Sequence, residues 1–148
     1  MRRLIAVIGG RQADNELLTI AEDVGSRIVR KGAVLVCGGL TGVMEAASRG
    51  AKKEGGVTIG ILPEGKEDAN PYIDIPISTG LGLARNAIIA NSADALIAIG
   101  GEYGTLSEIA FALQIEKPVI GIKTWDIKGV VPAESAEDAV AKIFKILS

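Results

Sequence analysis

The sequence predicts an α/β fold, an open, doubly wound, mostly parallel sheet of about six or seven strands flanked by helices. Three observations predict it. Short apolar runs alternate with helix-length segments along the whole chain, as repeated βα units do. The 148 residues are 48% hydrophobic but only 3% aromatic, so the core is aliphatic, as in strands buried on both faces of a parallel sheet. Glycine-rich turns follow where apolar runs end, and in such sheets ligands bind outside the carboxyl ends of the strands.

The elements follow in order. A strand over residues 4–8 ends in Gly9-Gly10-Arg11-Gln12-Ala13, with Asp14 or Asn15 as the N-cap of a helix over 16–30. In that helix Leu17, Ile20, Ala21, Val24 and Ile28 recur at helical spacing, and Gly32 stops it. A second strand over 33–37 leads through Gly38-Gly39-Leu40-Thr41 into a helix over 42–54. A third strand over 57–62 precedes the longest irregular stretch, 63–73, a length expected of functional or mobile loops. A strand over 75–78 and the turn Gly80-Leu81-Gly82 precede a helix over 83–92. The fifth strand, 95–99, enters the nine residues from Gly100 to Glu108, with a helix over 105–115. A strand over 118–122, a short one near Val130 and a helix over 136–147 complete the series. Ser135 caps the last helix, with Asp138 three residues on, an imperfect capping box.

Composition excludes several classes of function. A net charge of −2 and a pI near 5.2 argue against a nucleic-acid platform. The single cysteine, Cys37, excludes an internal disulfide and fits a reducing cytoplasm. The first apolar run is too short for a signal peptide or a membrane span. No linker or repeat divides the chain, so a single phosphate-binding domain over 1–148 is expected. With no histidine and one cysteine, neither a zinc site nor a histidine-based triad can be built. Acid–base chemistry falls to carboxylates, Lys, Tyr or the ligand.

The glycine turns carry the chemistry. A strand–turn–helix junction presents free backbone N–H groups, and glycines let a phosphate approach them. The first turn has Gly9 and Gly10 but lacks the three spaced glycines of a dinucleotide fingerprint. Cys37-Gly38-Gly39 stands where a ribose-binding acid belongs, so a nicotinamide dehydrogenase is disfavoured. Gly38, Gly39, Thr41 and Gly42 form either a phosphate or pterin cradle or a plain tight turn. Met44 reads as packing, with ligand contact as the other reading, and Cys37 as a small core residue. Arg85 opens a helix, where a cation opposes the dipole unless an anion is near; a surface ion pair is the other reading. Gly100, Gly101, Gly104 and Thr105 supply a further anion-binding turn. Thr105 and Glu108 also form a capping box, so Glu108 is either a helix cap or a catalytic acid.

With these residues in view, the chain resembles the LONELY GUY, or lysine-decarboxylase-like (SLOG), superfamily from its first strand to its last helix. The phosphoribohydrolases of that superfamily carry Arg-Lys at a helix start and Pro-Gly-Gly-x-Gly-Thr-x-Glu-Glu. Their Arg aligns with Arg85, their Gly-Thr with Gly104 and Thr105, and their last Glu with Glu108. The upstream Gly-Gly-x-x-Gly-x-Met matches Gly38, Gly39, Gly42 and Met44. The chain departs at Asn86 for Lys, Gly100 for Pro, Glu102 for Gly and Ser107 for Glu. Its overall form is nearer the molybdenum cofactor carrier branch.

The resemblance implies a Rossmann-like fold, a homodimer or homotetramer, and a small phosphate-bearing ligand, either the molybdenum cofactor or a nucleoside monophosphate. It implies no lysine decarboxylation, since no pyridoxal-binding motif is visible. Two functions remain in view. As a carrier, the chain holds its ligand at the glycine turns with Arg85 neutralising charge. As a phosphoribohydrolase, it uses Glu108 to steady the ribose cation or activate water, with Arg85 orienting sugar or phosphate.

Overall fold

The computed structural model describes residues 1–148. The elements run β1 (Leu4–Gly9), α1 (Asn15–Arg30), β2 (Val34–Cys37), α2 (Val43–Lys53), β3 (Thr58–Leu62) and β4 (Ile75–Ser78). They continue α3 (Arg85–Ser92), β5 (Ala95–Ile99), α4 (Tyr103–Gln114), β6 (Val119–Ile122), β7 (Val130–Pro132) and α5 (Ala136–Leu147). The seven strands form one sheet in the order β4-β3-β2-β1-β5-β6-β7, and each neighbouring pair is parallel. This is the doubly wound sheet expected. No helix is long and apolar enough to cross a membrane.

Alternation along the strands builds two cores. Ile5 and Val7 of β1 and Ala95, Ile97 and Ile99 of β5 face α1, α2 and α5. Ala6 and Ile8, with Leu96 and Ala98, face α3 and α4. The strands are near-continuous apolar runs because both faces are covered. Both edge strands carry proline, Pro76 in β4 and Pro132 in β7, which hinders pairing with another sheet.

Helices α1 and α2 meet at unusually close range, and two glycines permit it. A Cβ at Gly25 would lie 1.9 Å from the Ala47 carbonyl oxygen, and one at Gly50 would lie 1.9 Å from that of Glu22. The ends of α1 and α5 follow the sequence expectation. The Asp14 side chain accepts from the Leu17 N–H at 2.9 Å. Ser135 Oγ accepts from the Asp138 N–H at 3.0 Å, while Asp138 accepts from the Glu134 N–H at 3.1 Å. The box thus closes one residue ahead of the cap.

Strand order reverses between β1 and β5, whose last residues, Gly9 and Ile99, are register partners. Connections leave the carboxyl ends of these strands in opposite directions and open a crevice there. Residues singled out in the sequence gather around it.

Candidate functional site

A cleft of about 1110 Å³ lies at this switch point. The end of β1 and the β1–α1 turn supply Gly9, Gly10, Arg11 and Gln12, the β2–α2 turn supplies Thr41, and the start of α2 supplies Met44. Glu64 and Asp68 come from the segment after β3, and Leu83, Arg85 and Asn86 from the start of α3. Glu102, Gly104, Thr105 and Glu108 close the cleft from α4.

The residues expected from sequence fall into two groups. Gly9, Gly10, Thr41, Met44, Arg85, Gly104, Thr105 and Glu108 line the cleft. Gly38, Gly39, Gly42, Gly100 and Gly101 are absent from its lining and belong to the turns that shape it. Gly38 makes room for two cleft-lining side chains, since a Cβ there would come within 2.7 Å of both Arg85 Nη2 and Met44 Sδ. Gly42 has φ +67°, and its Cβ would lie 2.3 Å from the Gly10 carbonyl oxygen. That glycine lets the first two turns pack together. The Val43 N–H donates to the Gly10 carbonyl at 3.0 Å and the Thr41 hydroxyl to the Arg11 carbonyl at 2.9 Å.

Arg85 is held inside the wall. Its Nε donates to the Ile61 carbonyl at 2.8 Å, Nη2 to the Gly38 carbonyl at 3.3 Å, and Nη1 to Asn86 Oδ1. Asn86 passes the network on, donating from Nδ2 to Ser107 Oγ at 3.1 Å. Ser107 in turn donates to the Gly104 carbonyl at 2.6 Å. Burial disfavours the charged guanidinium, and Glu108 opposes that effect when it is ionised.

Glu108 corrects one sequence expectation. Helix α4 begins at Tyr103, two residues earlier than expected, with Glu102 at the N-cap and no side-chain cap bond. Thr105 is therefore already helical and the Thr105–Glu108 capping box does not form. Glu108 is only 6% exposed, and burial pushes its carboxyl up to about 8, with Arg85 pulling the other way. Burial thus favours its neutral form, and it faces the cleft. Cys37 is fully buried, and burial pushes its thiol up. This fits a core residue and not a nucleophile.

Three features went unread in the sequence. Arg11 and Gln12 line the cleft, although glycine spacing points only to the two residues before them. Glu64 and Asp68 join from the irregular segment. Asn70 is buried and ties that segment to the second glycine turn, donating from Nδ2 to the Leu40 carbonyl at 2.8 Å. A polar side chain in an expected loop gives no periodic signal, and only its burial marks it.

Comparison with known proteins places this geometry in a family. A protein of Archaeoglobus fulgidus is 50% identical over 137 residues, covering 92% of this chain and 91% of its own. The molybdenum cofactor binding protein of Rippkaea orientalis superposes with a TM-score of 0.95 at 41% identity, over 100% of this chain and 99% of that one. The molybdenum cofactor carrier protein of Chlamydomonas reinhardtii gives a TM-score of 0.89 at 36% identity, over 99% of both chains. A cytokinin riboside 5'-monophosphate phosphoribohydrolase of Mycobacterium tuberculosis is 32% identical over 74% of this chain but only 64% of its own. The family model of SLOG cluster4 matches residues 2–146, and the chain belongs to the SLOG cluster4 family.

Proposed function

We propose that the cleft binds a phosphate-bearing, nucleotide-like or pterin ligand, and that the protein carries or stores the molybdenum cofactor. One observation carries the reading. At the switch point, the backbone N–H groups of Arg11, Gln12, Gly101 and Gly104 meet no acceptor in the chain, close to Glu108, whose burial favours the uncharged form. Free N–H groups at strand–helix junctions attract anions, and an uncharged Glu108 does not repel one. End-to-end similarity to the Rippkaea orientalis and Chlamydomonas reinhardtii proteins supports the cofactor as ligand class. The turns hold the phosphate end, so the reading asks for no metal-ligating side chain. A homodimer or homotetramer belongs to the same proposal. Exposed Leu81, Leu83, Phe111 and Ile115 support it, and sedimentation velocity measures it.

Mass spectrometry of material that co-purifies with the protein tests the ligand. A pterin or nucleotide phosphate, released on denaturation and raising the melting temperature when added back, supports the proposal. Unliganded protein whose melting temperature is unmoved by pterin and nucleotide phosphates overturns it.

A second reading is hydrolysis of the N-glycosidic bond of a nucleoside 5'-monophosphate. It is favoured by the placing of Arg85 and Glu108 in one cleft and by the phosphoribohydrolase relative. Glu108 would then steady the ribose cation or activate water, while Arg85 orients sugar or phosphate. Release of adenine from AMP, abolished by Glu108→Gln at unchanged melting temperature, would establish it over carriage.

A further inference from the structure

Arg85 is the cation that the sequence motif points to, yet three of its nitrogens already donate to acceptors of the chain. Arg11 differs. It lines the same cleft, is exposed, and takes part in none of the chain's ion pairs. Its charge reaches Arg85, where it weakens the hold on the proton.

The backbone around Arg11 is turned to match. The Gly10 carbonyl accepts from the Val43 N–H and the Arg11 carbonyl accepts from the Thr41 hydroxyl, so both point at the β2–α2 turn. In a trans peptide the C=O and the following N–H point in opposite directions. The N–H groups of Arg11 and Gln12 are therefore directed away from that turn, and neither has an acceptor in the chain. A Cβ at Gly10 would lie 2.9 Å from the Gln12 carbonyl oxygen, so the tight turn needs the glycine.

Two further observations bear on the ligand. Glu108, 6% exposed and without a hydrogen-bond partner, looks into the same cleft. A buried polar group of that kind is satisfied by a ligand or by water. Across the cleft, Glu102 stands at the N-cap of α4. Its carboxylate competes there with any second anion, whereas the N-cap carboxylate of α1, Asp14, accepts from the Leu17 N–H at 2.9 Å and does not line the cleft.

We propose that Arg11, with the N–H groups of Arg11 and Gln12, is the phosphate anchor of this cleft, and that Arg85 is a wall residue serving Asn86 and Glu108. The proposal rests on the reading that the ligand bears a phosphate. It assigns the anionic end of the ligand to the β1–α1 turn, with the rest of the molecule directed toward Glu108. An arginine fork and two backbone N–H groups suit a phosphate monoester, whose three terminal oxygens accept from all of them.

Calorimetric titration of the full chain with GMP and with guanosine separates the phosphate contribution from that of the base and sugar. Wild-type protein is expected to bind GMP at least tenfold more tightly than guanosine. Arg11→Gln, at an exposed position, keeps the melting temperature of the wild type. It is expected to lose most of the GMP preference while leaving guanosine affinity unchanged, and Arg11→Lys recovers part of the loss. A wild-type preference for GMP that survives intact in Arg11→Gln overturns the anchor and leaves the phosphate reading standing. A wild type that shows no preference for GMP overturns both.

Discussion

The Asn86 side chain donates from Nδ2 to Ser107 Oγ at 3.1 Å, so two positions at which this chain departs from the phosphoribohydrolase motif touch each other. The motif has Lys and Glu there, a charged pair; this chain has a neutral one of amide and hydroxyl. The substitution is matched, and it places an amide carbonyl where Arg85 Nη1 needs an acceptor.

Matched positions couple energetically. Asn86→Lys alone puts a second cation beside Arg85 and removes its acceptor. It is expected to cost about 2–4 kcal/mol, as breaking buried charge networks does. Adding Ser107→Glu supplies a partner and is expected to recover about half of that loss. Urea unfolding of the two single variants and the double variant measures the coupling, and additive losses would show that the pair acts independently.

Glu108 makes stability depend on pH in a defined direction. Its carboxyl is raised from 4.5 to about 8 in the folded protein. The native state therefore holds a proton that the unfolded chain releases. The stabilisation associated with it is complete below pH 4.5 and is lost as the pH rises through about 8. Up to about 5 kcal/mol is at stake across that window. Unfolding measured at pH 5, 7 and 9 is expected to show wild type falling relative to Glu108→Gln, whose amide does not titrate. Parallel pH curves for the two proteins would mean that the Glu108 carboxyl is ionised in the native state.

Much of the fold was legible because its signals are local and periodic. The helical spacing of Leu17, Ile20, Ala21, Val24 and Ile28 and the caps at Asp14 and Ser135 all correspond to observed features. The start of α4 was not legible, because Thr105-Leu106-Ser107-Glu108 is a good capping-box pattern in isolation. In the fold the helix extends back to Tyr103, and Glu108 is buried against the cleft without making a cap bond. Glycine turns marked the cleft correctly in outline, since their glycines mark strand ends. Arg11 and Asn70 escaped because their roles depend on which turns pack together, which no spacing in the chain records. The Asn86–Ser107 contact spans 21 residues, and each member read singly looked like a lost motif residue.

The α1–α2 crossing gives a prediction about packing. Gly25→Ala and Gly50→Ala each drive a methyl group to within 1.9 Å of a facing backbone carbonyl, which can be relieved only by separating the helices. Overpacking of this kind costs roughly 1–3 kcal/mol or more, beyond the slight gain in helix propensity. Gly55→Ala is the control, since its Cβ would meet nothing within 4 Å and only its φ of +72° opposes the change. Thermal unfolding is expected to rank the two crossing variants well below the control. Equal losses in all three would assign the effect to backbone conformation and not to the crossing.

Asn70 holds the segment after β3 against the cleft's second glycine turn. Its Nδ2 donates to the Leu40 and Gly39 carbonyls, its Oδ1 accepts from the Tyr72 N–H at 3.0 Å, and its own N–H donates to the Gly39 carbonyl at 2.9 Å. Asn70→Ala removes every side-chain bond in that set and leaves a buried carbonyl, that of Leu40, without its partner. Such a loss costs about 1–3 kcal/mol. Because Glu64 and Asp68 ride on this segment, loosening it also opens one wall of the cleft. Hydrogen exchange is expected to show faster exchange from Glu64 to Tyr72 in Asn70→Ala, with the β1 and β5 amides unchanged. Uniformly faster exchange across the sheet would mean that Asn70 supports the whole fold and not the cleft wall alone.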